Sequence, residues 1–427
     1  MNDEKKNREK RRRRRLKNQI LAYLMLLIII ALIVAAGYYG VKCVMNYMSD
    51  YSDKVSRVIE EAESSLAAEQ ESEPYIEEVQ SSSVQNHEGF SSPVDTDLLH
   101  SLIESLLSDM TTEEMVAGLF IVSPEAITGV GTAVQAEEGT KAAITENPVG
   151  GLVYAPKNFS SSEQFTTMIT NTRSYAKYPL FTIVQAECGT SDYGLETTAK
   201  ASELTDTDSV VQVYKTIASG LASYGINMNL APVAEIVPEE GEPSLQERTF
   251  GSDASVAAPL VNAAVQAQQE VEVSAVLQKF PGAAAGSKSL EELKNSEFVV
   301  YDMAINNGVD CIMVSHIPVN SVTGDETPSS LSSVMINDVL RNTLGFNGVV
   351  MTDALDDSAI TGSYNSAEAA VAAIQAGADL LLSPENYQEA YEGVLQAVTD
   401  GTITKERIHD SLYRIYSVKY KNVIDTL

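Results

Sequence analysis

Gly345-Phe346-Asn347-Gly348-Val349-Val350-Met351-Thr352-Asp353-Ala354-Leu355-Asp356-Asp357 is the stretch whose reading decides the fold. Val349, Val350 and Met351 are apolar and mostly β-branched, which reads as a short buried strand. Gly345 and Gly348 punctuate the approach, and Thr352-Asp353 ends the run. A carboxylate at the exit of an apolar strand is costly inside a core, so it faces a cleft or caps the next helix. The stretch alone leaves both roles open.

Seven other stretches share its shape. They are Leu119–Val122, Gly151–Ala155, Leu180–Val184, Ile226–Ala231, Val273–Leu277, Cys311–Val314 and Ala378–Leu382. Helical patterns separate most of them: Ser161–Tyr175, Ser209–Ser223, Ala254–Glu270, Leu290–Asn306, Ser332–Leu344, Ala367–Ala376 and Tyr387–Thr399. The weakest spacer is Thr132–Glu146. A closing helix is expected over 403–421, and Asp95–Met110 and a helix capped at Thr111 precede the first strand. Eight strands alternating with helices predict an α/β fold, a (β/α)8 TIM-type barrel over 95–427. A doubly wound open sheet is the runner-up, but no GxGxxG or GxxxxGK[ST] loop supports it.

In such a barrel the ligand meets the loops at the C-terminal strand ends. The residues to inspect are therefore Ser123-Pro124-Glu125, Pro156-Lys157-Asn158, Gln185-Ala186-Glu187, Pro232–Glu235, Gln278–Pro281, Ser315-His316, Asp353 and Ser383-Pro384-Glu385. The barrel reading favours the cleft over the cap for Asp353.

The part before the barrel differs in kind. Residues 1–20 carry ten of the 29 Lys and Arg but three of the 59 Asp and Glu, so the remainder is strongly acidic. That balance argues against nucleic acid as a partner. Ile20 to Val41 contains no charged residue, and about 20 apolar residues suffice to span a bilayer. We read 1–18 as a basic cytoplasmic tail and 19–41 as a transmembrane helix. Residues 42–94 read as a partly disordered Ser/Glu/Gln-rich stalk, and the barrel as extracellular at the cell membrane. A cleavable signal peptide is the rival, but the run is too long and no A-x-A site follows it cleanly. Cys43, Cys188 and Cys311 make no disulfide framework, no His/Cys spacing indicates a metal, and no cofactor is implied.

The motifs Pro148-Val149-Gly150-Gly151-Leu152-Val153-Tyr154, Asn229-Leu230-Ala231-Pro232-Val233-Ala234-Glu235, Arg248-Thr249-Phe250-Gly251, Lys279-Phe280-Pro281-Gly282 and Met313-Val314-Ser315-His316 occur in that order, followed by the stretch quoted first. Together they resemble glycoside hydrolase family 3, and most closely its single-barrel β-N-acetylhexosaminidases, over about residues 97–421. The resemblance implies a retaining glycosidase acting on terminal N-acetyl-β-hexosaminides, possible substrates being cell-wall fragments. It implies Asp353 as the nucleophile, Arg248 as a sugar contact in the first subsite, and His316 as a residue lining the same mouth.

Two motifs depart from the family. Its K-H-F-P-G-H-G-D-T-x-x-D-S-H loop reads Gln278-Lys279-Phe280-Pro281-Gly282-Ala283-Ala284-Ala285-Gly286-Ser287-Lys288 here. The sugar-binding Lys-His pair becomes Gln278-Lys279, and the Asp-His acid/base dyad has no counterpart. Its D-Q-E-G-G motif reads Gln185-Ala186-Glu187-Cys188-Gly189. A replacement acid must come from Glu187, Glu235, Asp192, Asp356 or Asp357. The residues expected to bind substrate are Arg248, His316, Lys279, Gln278, Glu187 and Gln185. Three readings follow: an enzyme, resting on Asp353, Arg248 and the barrel; a binding protein that holds a glycan or partner, resting on Gln185, Gln278 and the Ala283–Ala285 run; or a structural scaffold whose mouth residues form no shared pocket.

Overall fold

The computed structural model describes residues 93–238 and 241–424. The tail, the apolar run at 19–41, Cys43 and nearly all of the stalk lie outside the described residues. Among the described residues no helix is long and apolar enough to cross a membrane.

Eight strands form one parallel sheet: β1 Phe120–Val122, β2 Gly151–Val153, β3 Phe181–Val184, β4 Met228–Asn229, β5 Ser274–Phe280, β6 Cys311–Val314, β7 Val349–Thr352 and β8 Leu381–Leu382. Their order is β7-β6-β5-β4-β3-β2-β1-β8. A parallel bridge between Met351 and Leu380 joins β7 to β8 and closes the ring. Thr352 N–H donates to the Leu380 carbonyl at 3.0 Å across that seam. The eight runs read from the sequence are these eight strands. Nearly every strand residue is buried, because helices cover the outside and side chains fill the inside. Gly151 has to be glycine: a Cβ there would meet Phe181 Cβ at 2.8 Å and Ile121 Cδ1 at 2.7 Å.

Sequence chemistry sets the helix ends. Thr111 and Glu114 form a reciprocal capping box on Thr112–Ala117, as the Thr-Thr-Glu-Glu pattern predicts. The helix expected over Leu290–Asn306 is two helices, Leu290–Lys294 and Glu297–Asn306. Asn295 Nδ2 donates to the Glu291 carbonyl at 2.7 Å and Ser296 Oγ to that of Glu292 at 2.7 Å, which ends the first helix with side-chain donors. The segment expected as a helix over Ser332–Leu344 winds as a π-helix, Val334–Thr343.

The bottom of the barrel is held by one buried carboxylate. Asp379, 0% exposed, precedes β8. Its Oδ2 accepts from Arg341 Nη2 at 2.6 Å and from Val350 N–H at 2.9 Å, and its Oδ1 accepts from Ser411 Oγ at 2.7 Å and Arg414 Nη1 at 3.2 Å. Arg407 Nη1 stands 3.5 Å away. This ties β7, β8 and the closing helix Lys405–Ile424 together at the seam. Removing the acid that three arginines share leaves uncompensated buried charge, which costs ~3–5 kcal/mol. Asp379→Ala is therefore expected to lower the unfolding free energy of the full-length protein by that amount, read as a fall in denaturant midpoint at an unchanged m-value. A loss below about 1 kcal/mol would show that the seam does not depend on this residue.

Candidate active site

Asp353 stands where β7 ends. Its N–H donates to the Val314 carbonyl of β6 at 2.8 Å, and two residues on, Leu355 N–H donates to the Leu382 carbonyl of β8 at 2.9 Å. The backbone is thus fixed from both neighbouring strands. Oδ1 accepts from Ala354 N–H at 2.9 Å and Oδ2 from Lys279 Nζ at 2.6 Å. The side chain is 16% exposed, so one edge meets solvent. Lys279 comes from β5, which makes this ion pair a bridge over the intervening β6.

His316 supports Asp353 from behind. Its Nε2 lies 2.9 Å from the Ala354 carbonyl and its Nδ1 2.7 Å from Ser330 Oγ. A carbonyl can only accept, so Nε2 carries a proton, and in the neutral ring Nδ1 accepts from Ser330. Both ring nitrogens are thereby engaged in holding the residue after Asp353.

A second group sits at the mouths of β3 and β4. Arg248 grips Glu187 through two parallel bonds, Nε to Oε2 and Nη2 to Oε1, each 2.6 Å. Glu187 strengthens the basicity of Arg248, against the effect of its burial. Gln185 Nε2 donates to Glu187 Oε1 at 2.8 Å. These side chains hang on a clamp the sequence reading did not single out. Asn229, wholly buried at the end of β4, accepts from Ala186 N–H at 2.9 Å and donates to the Ala186 carbonyl at 2.9 Å and to Gln268 Oε1 at 2.8 Å. The signal was an amide side chain inside an apolar run.

Gln185, Glu187 and Arg248 line a cavity of about 570 Å³, together with Glu125, Tyr154, Lys157, Asn158, Asp192, Lys200, Glu247 and Ser383. Its cations are paired: Lys157 with Glu125 at 3.5 Å and Lys200 with Glu247 at 2.7 Å. Glu125 Oε1 accepts from Ala133 N–H and Asn158 Nδ2, while its buried Oε2 has no hydrogen-bond partner among the described residues. Asp353 and Lys279 do not line this cavity. They stand one strand to either side of it: Asp353 beside β8, whose mouth supplies Ser383, and Lys279 beside β4, next to Leu230 of the lining.

The other expected residues fall in different places. Gln278 is 1% exposed and donates through Nε2 to the Leu230 carbonyl, which puts it under the floor of the mouth. Asp357 caps the short helix Ser358–Thr361 and Asp356 is exposed. Glu235, past the end of β4, is 6% exposed and accepts from Ala283 N–H through Oε2 at 2.5 Å. Burial raises its carboxyl above the ordinary 4.5, and the charges of Lys279 and Arg248 oppose that shift. Cys188 and Cys311 are free and buried. Among the described residues no group of His, Cys, Asp and Glu is arranged to hold a metal.

Residues 111–418 match the glycosyl hydrolase family 3 N terminal domain. A β-N-acetylglucosaminidase/β-glucosidase of Cellulomonas fimi is 29% identical over 296 residues, covering 64% of this chain and 52% of that protein. A β-hexosaminidase of Stenotrophomonas maltophilia strain R551-3 is 27% identical over 279 residues, 59% of this chain and 81% of that one. The solved glycoside hydrolase family 3 β-N-acetylglucosaminidase from Paenibacillus sp. str. FPU-7 superimposes with a TM-score of 0.68 at 29% identity, over 74% of this chain and 63% of that one. This chain spans about half the length of the Cellulomonas relative. With the match running through all eight strands and the loops at their mouths, the chain belongs to glycosyl hydrolase family 3.

Proposed function

We propose that this protein is a retaining glycosidase that removes terminal N-acetyl-β-hexosaminides, with Asp353 as its nucleophile. The observation that carries this reading is the Asp353 carboxylate, part-open at the mouth of β7 and charge-balanced by Lys279 at 2.6 Å. Attack on an anomeric carbon requires an ionised carboxylate fixed in direction, and backbone bonds to β6 and β8 fix this one. The polar cavity beside it suits a hydroxyl-rich ring. Arg248 presents donors on a guanidinium oriented by Glu187, and Glu125 Oε2 offers an unused acceptor. The activities of the Cellulomonas, Stenotrophomonas and Paenibacillus relatives support the same sugar class.

One observation favours a second reading. Asp353 lies outside the cavity that Arg248 lines, and its Oδ2 is already engaged by Lys279. A protein that holds a glycan without cleaving it would keep this arrangement unchanged.

We also propose that the apolar run at 19–41 anchors the chain, with residues 1–18 in the cytoplasm and the barrel outside the cell, where cell-wall glycan is available as substrate. Support comes from the length of the run and its basic flank.

Two outcomes are expected. The full-length protein should hydrolyse a dinitrophenyl N-acetyl-β-glucosaminide, and Asp353→Asn should lower kcat/KM by ~10⁴–10⁶. Sugar binding by calorimetry without turnover by the parent would favour the second reading, and an active Asp353→Asn would overturn the assignment. On cell fractionation the chain should stay with membranes through an alkaline wash and leave only with detergent. Recovery in the soluble fraction would refute the anchor.

A further inference from the structure

We propose that Glu235 is the proton donor and acceptor of this site, replacing the dyad that the shortened loop after β5 no longer carries. The proposal rests on the glycosidase reading given above.

Elimination narrows the choice. Glu187 has both oxygens taken by Arg248, and one also by Gln185, so it is held as an acceptor with no proton to give. Asp357 is spent on a helix N-terminus. Asp356 beside it has its carboxyl raised by burial and by the charges of Asp357 and Asp353, as Glu235 has. Its side chain is exposed, however, and among the described residues no hydrogen bond from the loop after β5 orients it. Asp192 belongs to the short turn Asp192–Gly194 and lines the Arg248 cavity, which Asp353 does not line. His316 uses both ring nitrogens to hold the backbone.

Glu235 has the positive features as well. The segment after β4 runs alongside the end of β5: Val233 bridges Gln278, and Ala234 N–H donates to the Gln278 carbonyl. Glu235 follows directly, as Lys279 follows Gln278. Gly282, at φ +111°, turns the shortened loop back so that Ala283 N–H donates to Glu235 Oε2. That leaves Oε1 with no hydrogen bond among the described residues. The charged and titratable groups acting around it are Lys279 on β5, Asp353 at β7, Arg248 after β4, and Tyr301 on Glu297–Asn306, with Glu297 of the same helix acting on Tyr301. Its burial favours the protonated form, the state an acid must hold before the first step.

The chemistry balances. Asp353 attacks the anomeric carbon, the C1–O bond breaks, and the departing oxygen takes the proton of Glu235. Water then attacks C1, its proton passes to the Glu235 carboxylate, and the Asp353 carboxylate leaves. A retaining geometry asks for the two carboxyl groups about 5–5.5 Å apart.

The test is Glu235→Gln in the full-length protein, since glutamine can still accept from Ala283. Two substrates are compared: a dinitrophenyl N-acetyl-β-glucosaminide, whose leaving group needs no proton, and a chitobiose-type disaccharide, whose leaving group does. The variant is expected to lose ~10²–10⁴ in kcat/KM on the disaccharide and to stay within about threefold on the dinitrophenyl substrate. The latter also reports that the variant is folded. On the disaccharide, the variant's kcat/KM should lose the fall at high pH that protonated Glu235 gives the parent, and on the dinitrophenyl substrate added azide should speed turnover with release of a β-glycosyl azide. Equal losses on both substrates, or full retention on both, would overturn the assignment of Glu235 while leaving Asp353 in place. A parent silent on both substrates would remove the glycosidase reading and this proposal with it.

Discussion

The pairing of Lys279 with Asp353 depends on the barrel closing on itself. The two residues are 74 positions apart and sit on strands separated by β6, yet their charged atoms meet at 2.6 Å. The tilt and curl of a barrel turn residues from next-nearest strands toward one mouth. Closure in turn rests on the β7–β8 seam, where the ladder thins to one bridge and the buried Asp379 cluster takes over at the bottom. The acid that stabilises the scaffold and the acid assigned to chemistry therefore serve opposite ends of the same seam. One is wholly buried and surrounded by donors, and the other is part-open with a single cation.

The polar mouth divides into two functional halves. At β3 and β4, Asn229 fixes the backbone of Ala186, Ala186 carries Glu187 into place, and Glu187 aims Arg248. At β5 and β7, Lys279 balances Asp353 while His316 holds Ala354. Glu235 lies between the halves, within the fields of both Arg248 and Lys279. In each half one oriented group rests on a buried neighbour that makes no outward contact of its own.

Much of this was legible in the sequence. The eight apolar runs stood out because buried parallel strands are apolar on both faces, and their exits pointed to Asp353, Glu187 and Glu235, whereas Arg248 came only from the resemblance of its Arg-Thr-Phe-Gly motif. Legibility failed where side chains bond to backbone rather than to one another. Asn295 and Ser296 break a helix that periodicity alone would continue. Gln278 looked like a ligand contact from its place in a motif, but its amide serves the Leu230 carbonyl beneath the mouth. Asn229 read as part of a strand, and its pair of hydrogen bonds with the Ala186 backbone becomes visible only when β3 and β4 are side by side. The bridge that closes the ring pairs Met351 inside β7 with Leu380 just before β8, and no local pattern announces it.

The central claim is that Asp353 makes a covalent bond to sugar. The most direct measurement is mass spectrometry of peptides from the full-length protein after incubation with a 5-fluoro-N-acetylglucosaminyl fluoride, which forms the glycosyl-enzyme quickly and loses it slowly. The account predicts one added sugar mass on the peptide containing Asp353, located on that side chain by fragmentation. A peptide map with no adduct, or with the sugar on Glu187 or Glu235 instead, would contradict it.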